Sequence, residues 1–233
     1  MIWQKTAGPQ IKNFLFDVST NTGGLDTIVF FIMSEIAGQT DFIQEWMLSK
    51  SIGHLHILAD RNLDGVYDDK DNEVSFDLNF GVLCSGLSFS CGNYLPSLMK
   101  DKGILVLGET SGGDSCTVQM RLTAEGLPYG MSSALRMINS KGENIDSGIE
   151  PNISLVKVGA DGKADYSDMY DLEKISAAFK EFYGTADESS EPESRPADKD
   201  INPSTGKAIP AAAVAAAVVI LCAAAAVRKK RNR

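Results

Sequence analysis

The sequence predicts an α/β protein in which helices cover a sheet, followed by a polar segment and one apolar C-terminal helix. Over residues 1–183, segments with the apolar alternation of strands take turns with segments of helical spacing, and this order is typical of layered α/β folds. The chain has 233 residues, 43% hydrophobic and 23% charged, as in an ordinary globular protein. Its net charge of −9 excludes a general nucleic-acid binder.

The individual elements follow from apolar spacing and from turn residues. The predicted strands lie at 14–18, 52–58, 74–83, 104–107, 116–122 and 133–138, and the predicted helices lie at 25–38, after Ser90 and at 172–182. Residues 17–24 are rich in Ser, Thr, Asn and Gly and predict a turn. The helix after Ser90 contains Pro96, which it tolerates if Asn93 caps its first turn.

Residues 60–71 match a twelve-residue calcium loop. Oxygen-bearing side chains occupy loop positions 1, 3, 5, 9 and 12, a glycine occupies position 6, and position 7 offers a backbone carbonyl; the expected ligands are Asp60, Asn62, Asp64, Val66, Asp68 and Asp71. The loop resembles the dockerin type, because Asp71 stands where an EF-hand has Glu. We expect a structural Ca²⁺ that closes an insertion between two strands, and the alternative is a solvated acidic turn.

Four cysteines are too few for a disulfide scaffold. Cys222 lies in the apolar C-terminal run, so at most one pair can form among Cys84, Cys91 and Cys116, and their spacing does not identify it. His54 and His56 would share one face of a strand, but no third ligand lies near them in sequence, so we assign them no function.

Residues 87–93 place small side chains between an apolar strand and a helix start. A serine at this point, such as Ser90, would expose its Oγ beside the backbone N–H groups of the helix N-terminus. The alternative is a serine that caps the helix.

Four segments resemble, in the same order, the C-terminal processing and tricorn-like serine peptidase family. They are FLFDVSTNTGG at 14–24, SFSCGN at 88–93, GETSGG at 108–113 and IDSGIEPN at 145–152. The resemblance covers most of residues 10–155 and implies a crotonase/ClpP-like α/β core. It places Ser90 where the family has its nucleophile. It also places the N–H of Cys91 and an N–H from Gly23 or Gly24 where the family has its oxyanion donors, and losing one such donor typically costs about 3–4 kcal/mol.

The sequence also departs from this family. The processing branch uses a Ser–Lys dyad, but residues 112–115 contain no lysine. The tricorn-like branch takes a histidine from before the Gly-Gly turn, and this chain has none there; Asp146 is the nearest match to that branch's acidic residue. Without a base Ser90 would be a poor nucleophile, so we expect this fragment alone to be inactive. If residues 91 and 116 flank active-site loops outside the cell, the Cys91–Cys116 disulfide is the preferred one.

The C-terminal region predicts a membrane anchor. Residues 184–207 are polar and acidic and predict a flexible stalk. Residues 208–227 carry no charge and would form a helix about 30 Å long, enough to span a membrane. Residues 228–233 carry +5, which the positive-inside rule places in the cytoplasm. The folded part would then lie on the cell surface; the alternative is a soluble alanine-rich helix.

The sequence NPSTG at 202–206 resembles the sorting signal of Gram-positive surface proteins. In that family a sortase cleaves between Thr and Gly, here Thr205 and Gly206. Asn202 stands where the usual signal has Leu, and the alternative is an anchor that is never cleaved. Residues 1–5 show no signal peptide, which an exported protein needs, so we expect this chain to be the C-terminal part of a longer protein.

These observations support three hypotheses. The first is a surface-anchored serine peptidase that hydrolyses peptide bonds through a Ser90 acyl-enzyme, with peptide or protein substrates and a base from an upstream segment. The second is a binding or scaffold module that has the fold without catalysis. The third is a calcium-stabilised surface domain. The partners expected besides substrate are the membrane and a sortase.

Overall fold

The structure is a computed structural model that describes residues 11–184. Its strands are β1 (Asn13–Asp17), β2 (Asp41–Trp46), β3 (Ser51–His56), β4 (Asn79–Cys84), β5 (Leu105–Gly108), β6 (Cys116–Leu122), β7 (Pro128–Met137), β8 (Ile153–Ser154), β9 (Lys157–Val158) and β10 (Ala164–Asp165). Its α-helices are α1 (Asp26–Ala37), α2 (Cys91–Asp101) and α3 (Leu172–Tyr183), and 3-10 turns occupy Asp69–Glu73 and Ser167–Tyr170.

A parallel four-stranded sheet, in the order β1-β4-β5-β8, forms the centre of the fold. Because side chains alternate along a strand, Val82 and Cys84 pack with α1 and α2 on one face, while Leu83 packs with α3 on the other. Gly81 permits the close approach of α3, since a Cβ there would lie 2.7 Å from the Phe179 ring. The predicted α/β class is therefore confirmed.

The second sheet is antiparallel, in the order β3-β2-β7-β6, and two of its strands differ from the sequence prediction. The sequence of β2 does not predict a strand, because its residues do not alternate cleanly between apolar and polar. The predicted strand 133–138 is the second half of the longer β7. His56 bonds Asp41 across the β2–β3 pair at 2.9 Å, and this contact is exposed.

The start of α2 also differs from the prediction. Ser90, not Asn93, occupies the N-cap position, and Asn93 is the third residue of the helix, fully buried. Pro96 therefore lies inside the helix. The extended segment predicted at 74–83 becomes a strand only from Asn79 onward.

The preferred Cys91–Cys116 disulfide is wrong in this structure. Cys84, Cys91 and Cys116 are all free thiols. The two buried thiols, those of Cys84 and Cys91, each donate a hydrogen bond to a backbone carbonyl instead of facing another thiol. Cys91 Sγ donates to the Gly24 carbonyl at 3.3 Å, and Cys84 Sγ donates to the Glu109 carbonyl at 3.2 Å.

The predicted stalk, membrane helix and sorting site, including Thr205 and Gly206, lie outside the described residues. Within residues 11–184, no helix combines the length and the apolar character needed to cross a bilayer.

Candidate active site

Ser90 lies in the tight turn that joins the carboxyl end of β4 to α2. Its backbone has φ 55° and ψ −119°, a conformation that non-glycine residues rarely adopt. The residue occupies the N-cap position, but its side chain makes no capping hydrogen bond, and it is half-buried. The alternative interpretation of Ser90 as a helix cap is therefore wrong, because its hydroxyl does not cap the helix.

Backbone hydrogen bonds bring the three segments around Ser90 together. Phe89 N–H donates to the Asn21 carbonyl at 3.0 Å, which joins the turn to residues 19–24. Ser90 N–H donates to the Gly113 carbonyl at 3.1 Å, which joins it to residues 111–114. The serine is therefore fixed from two sides by main-chain contacts, independently of its own side chain.

Gly23 lies directly against the serine side chain. A Cβ at Gly23 would lie 2.8 Å from Ser90 Cβ and 3.2 Å from Ser90 Oγ, and the glycine has φ 118°. Two independent requirements, conformation and space, thus favour glycine at this position. The predicted approach of the 23–24 turn to Ser90 is present in the structure.

The backbone donors near Ser90 differ in availability. The N–H of Gly23 donates to Asn21 Oδ1 at 2.8 Å, so it is occupied. The N–H groups of Gly24 and Cys91 have no acceptor among residues 11–184. Cys91 is the first residue of α2, where N–H groups lack an intrahelical partner. Of the three predicted oxyanion donors, Gly24 and Cys91 are therefore free to bind a ligand oxygen, and Gly23 is not.

Asn93 is a central polar residue whose role is not indicated by its position in the sequence. Its Nδ2 donates to the Ile145 carbonyl at 2.9 Å and to the Asp114 carbonyl at 3.2 Å. Its Oδ1 accepts a hydrogen bond from Ser111 Oγ at 2.6 Å. One buried amide therefore connects α2 to the loop at residues 111–114 and to the loop that begins at residue 145. The presence of an asparagine near the start of a helix does not by itself predict these contacts.

The side chain of Asp146 points toward a charged pair on the second sheet. Its Oδ1 accepts from Ser115 Oγ at 2.5 Å, and its Oδ2 lies 3.7 Å from Arg136. Arg136 Nε in turn donates to Glu45 Oε2 at 2.6 Å, and this bond lowers the pKa of Glu45. Among the described residues Asp146 makes no hydrogen bond to Ser90, so its catalytic assignment stays a prediction from the family resemblance.

No general base contacts Ser90 within residues 11–184, since no lysine or histidine side chain there hydrogen-bonds its hydroxyl. The neighbouring Cys91 does not fill this role, because burial raises the pKa of its thiol to about 11. The described residues therefore provide a positioned hydroxyl and two amide donors without the group that would take the serine proton.

The predicted calcium loop lies between β3 and β4. The Asp60 carboxylate accepts from the N–H groups of Asp64 and Gly65 at 3.0 and 2.8 Å. Asp71 is buried, and its carboxylate accepts from three N–H groups, those of Arg61, Asn62 and Asp68. Residues 11–184 contain no cluster of three or more Asp, Glu, His or Cys side chains arranged to hold a metal ion. Calcium binding stays a prediction, and in this structure the carboxylates of both Asp60 and Asp71 bond the loop backbone.

Comparisons with known proteins address the sequence family and the fold. The sequence model of peptidase family S41 matches residues 2–155. A protein from Bacteroides fragilis assigned to the S41 proteases has a similar structure, with a TM-score of 0.51 and 12% identity over 79% of this chain and 47% of that one. A lipoprotein from Streptococcus agalactiae gives a TM-score of 0.50 and 12% identity over 73% of this chain and 55% of that one. No curated protein sequence matches.

These structural similarities concern the fold alone, because the identities are low. The chain spans about half the length of both solved structures.

Proposed function

The chain belongs to peptidase family S41, and from this membership and the geometry of Ser90 we propose that it carries the nucleophile and oxyanion donors of a serine-type peptidase. In the proposed reaction Ser90 Oγ attacks the carbonyl carbon of a peptide bond and forms a tetrahedral oxyanion. The N–H groups of Cys91 and Gly24 stabilise that oxyanion. A general base takes the serine proton and passes it to the leaving amine, so that collapse of the oxyanion releases the amine and leaves an acyl-enzyme, which water then hydrolyses.

One observation carries the proposal. Ser90 adopts a positive φ at a strand-to-helix turn, and its hydroxyl makes no capping bond. Such a conformation has an energetic cost of about 1–3 kcal/mol, so the surrounding contacts must hold it in place. A structural cap would need neither the positive φ nor the glycine packed against the side chain.

Catalysis by this mechanism requires a general base from outside residues 11–184. Serine at its normal pKa is a weak nucleophile, and the described residues near it offer free amides but no proton acceptor. Asp146 is our candidate for the acidic residue that would orient such a base, by resemblance to the family.

The test is covalent labelling of the full-length protein with a fluorophosphonate. We expect labelling that Ser90→Ala abolishes and that Ser140→Ala, which removes an exposed hydroxyl on a loop, leaves intact. Circular dichroism and thermal melting confirm that each variant is folded. A folded full-length protein that takes no label would contradict the proposal.

The second candidate is a binding or scaffold module that has kept the peptidase fold without catalysis. It is favoured by one observation, the lack of a base beside Ser90 within the described residues. Under this alternative the folded full-length protein takes no fluorophosphonate label, whereas the peptidase proposal requires it.

We also propose calcium as a structural ligand of residues 60–71. The support is the spacing of the oxygen side chains and the turn at Gly65, which has φ 84°. Calcium should raise the melting temperature, and EDTA should lower it again. The double variant Asp60→Ala/Asp64→Ala should lose this sensitivity, whereas Asp161→Ala, an exposed acidic residue elsewhere, should keep it. No response to EDTA would identify the loop as an acidic turn.

Surface anchoring is proposed from the sequence of the C-terminal region. Residues 208–227 would span the membrane, and a sortase would cleave between Thr205 and Gly206. Fractionation of the source cells should find the protein with the membrane or cell wall. Thr205→Ala should keep it in the membrane fraction if cleavage occurs, and an identical distribution of the variant and the unaltered protein would indicate a permanent anchor.

A further inference from the structure

The strand β6 lies at the edge of the antiparallel sheet, and its outer side pairs with no strand among residues 11–184. In an antiparallel pair, every second residue directs its backbone hydrogen bonds toward the partner strand. The hairpin closes with a bond from Thr123 N–H to the Leu127 carbonyl at 2.9 Å, so Arg121 and Gln119 also bond β7. The open side of the sheet therefore presents the backbone N–H and C=O groups of three residues, Val118, Met120 and Leu122.

The same three residues form an exposed apolar row, because alternate residues of a strand share one face. Val118 is 68% exposed, Met120 is 70% exposed and Leu122 is 68% exposed. A Cβ added at Gly130, the β7 residue opposite Met120, would lie 3.3 Å from Val118 Cγ1 and 3.6 Å from Met120 Sδ. The neighbouring strand thus has no side chain there that covers the row. Exposed apolar side chains together with unpaired backbone groups indicate a place where another strand binds.

The usual protection of an edge strand is missing from the outer part of β6. Edge strands are commonly blocked by proline, by lysine or by a β-bulge. In β6 the irregular register ends at Val118, so residues 118–122 pair regularly, and their one charge is that of Arg121. The strand β7 pairs with β2 at residues 135–137 and starts at Pro128, which has no backbone N–H. Of the two sides of this hairpin, β6 is therefore the one that can extend the sheet.

We propose that β6 pairs with β6 of a second copy of the chain, antiparallel, about a two-fold axis through Met120. The two Met120 residues are then directly opposite each other, and Val118 of each copy is opposite Leu122 of the other. The two four-stranded sheets join into one sheet of eight strands. The apolar rows of the two copies become one continuous row across the axis. A two-fold interface uses the same surface on both copies, so its pattern must complement itself, and this alternation does.

Charge favours a second copy at this strand over other surfaces of the chain. The net charge is −9, so two copies repel each other electrostatically. The hairpin from residue 116 to residue 137 contains two arginines and one glutamate and therefore carries +1. In the proposed register Arg121 of one copy is opposite Gln119 of the other, so no two like charges face each other. Arg121 already donates to Gln119 Oε1 at 2.6 Å within one copy, and the same bond can form between copies.

The unpaired backbone groups distinguish a strand from other occupants. A lipid surface does not satisfy them, because hydrocarbon neither donates nor accepts hydrogen bonds. An unrelated extended peptide satisfies them, and the charged variants of Met120 distinguish it from a second copy. One strand edge is smaller than the about 800 Å² per partner of a standard interface, so we expect a dimer that dissociates on dilution. The interface does not depend on the proposed hydrolysis at Ser90.

The test is sedimentation of the full-length protein in detergent with Met120 replaced by residues of either charge. Met120→Lys places two lysines opposite each other and Met120→Glu places two glutamates, so each variant alone should dimerise about tenfold more weakly than the unaltered protein. An equimolar mixture of the two variants should recover the dimer, because a lysine then faces a glutamate. Val158→Lys, at a position on β9 that is 73% exposed, is the matched control and should have no effect.

A disulfide at the axis provides a second measurement. Directly opposed, hydrogen-bonded residues of an antiparallel pair have Cα atoms about 5.5 Å apart, which is the usual separation in a disulfide. Mild oxidation should therefore link two copies of Met120→Cys. The unaltered protein and Val158→Cys should stay unlinked under the same conditions. Circular dichroism confirms that each variant is folded, as expected for substitutions of exposed side chains.

Three results would overturn the proposal. The first is a full-length protein that is monomeric at every concentration, with no disulfide in Met120→Cys. The second is a dimer that Met120→Lys leaves intact, because the copies then meet at another surface. The third is a mixture of Met120→Lys and Met120→Glu that stays monomeric, because the strand that binds β6 is then not β6 of a second copy.

Discussion

Replacing Gly23 by alanine tests whether the turn at residues 23–24 is built around the Ser90 side chain. Gly23 has φ 118°, and a Cβ there would lie 2.8 Å from Ser90 Cβ, closer than real Cβ contacts come. The backbone strain costs about 1–3 kcal/mol. The steric overlap with a serine held by backbone bonds on both sides costs about as much again. We therefore expect Gly23→Ala to lower the free energy of unfolding by about 2–6 kcal/mol.

Gly24→Ala is the matched control one residue along the chain. Gly24 has no positive φ, is exposed, and a Cβ there would meet no atom within 4 Å. Its substitution should change the free energy of unfolding by less than about 0.5 kcal/mol. The comparison thus removes the general effect of replacing a turn glycine, including the reduced entropy of the unfolded chain.

The assay is urea unfolding of the full-length protein, followed by circular dichroism. The circular dichroism signal without urea shows whether each variant is folded, and fluorophosphonate labelling is then compared between the folded variants. Gly23→Ala should also slow the labelling of Ser90, because the added methyl group must displace its hydroxyl. Equal stability of the two variants would refute the proposed packing of residue 23 against Ser90.

Three further predictions concern the titration, redox and electrostatic properties of the chain. Burial raises the pKa of Glu35 from 4.5 to about 6, so the folded state binds this proton more tightly than the unfolded state. The free energy of unfolding should therefore fall by about 1 kcal/mol as the pH rises from 4.5 to 6, after allowing for partial exposure. Glu35→Gln should remove this dependence in urea titrations. Mass spectrometry of the unreduced protein after alkylation should find Cys91 and Cys116 as separate thiols. In the native protein Cys91 should react more slowly than Cys116, because its thiol is buried. A disulfide between the two residues would contradict the structure. Asp146→Asn should change the free energy of unfolding by less than about 1 kcal/mol, because the contact with Arg136 is long and partly exposed. If this variant keeps its stability but loses fluorophosphonate labelling, the loss would support a catalytic role for Asp146.

Local sequence patterns were sufficient to predict most of the elements that position the site. The apolar spacing from Leu25 to Gly38 predicted α1, and β6 has the predicted bounds of 116–122. Such elements depend on interactions between near neighbours in sequence. The strand β2 was missed because its residues do not alternate cleanly, and because its pairing with β7 and the contact of Glu45 with Arg136 join residues that are distant along the chain.

The candidate site shows the same division. A serine between an apolar strand and a helix suggested either a nucleophile or a cap, and the sequence supports both. The backbone conformation of Ser90 and its approach to Gly23 exclude the cap, and these depend on hydrogen bonds to residues 21 and 113. Likewise, the role of Asn93 became visible when the loops at 111–114 and 145–149 were placed around it.

The sequence by itself determined the α/β class, most of the elements that position the site and the membership of a peptidase family, because periodicity and short motifs are properties of consecutive residues. The tertiary structure decided which amides beside Ser90 are free, which thiols remain unpaired, and that β6 lies at the edge of its sheet. Each of these depends on atoms brought together from segments far apart in the chain. Their hydrogen-bond partners and their burial are set by the packing of the whole fold.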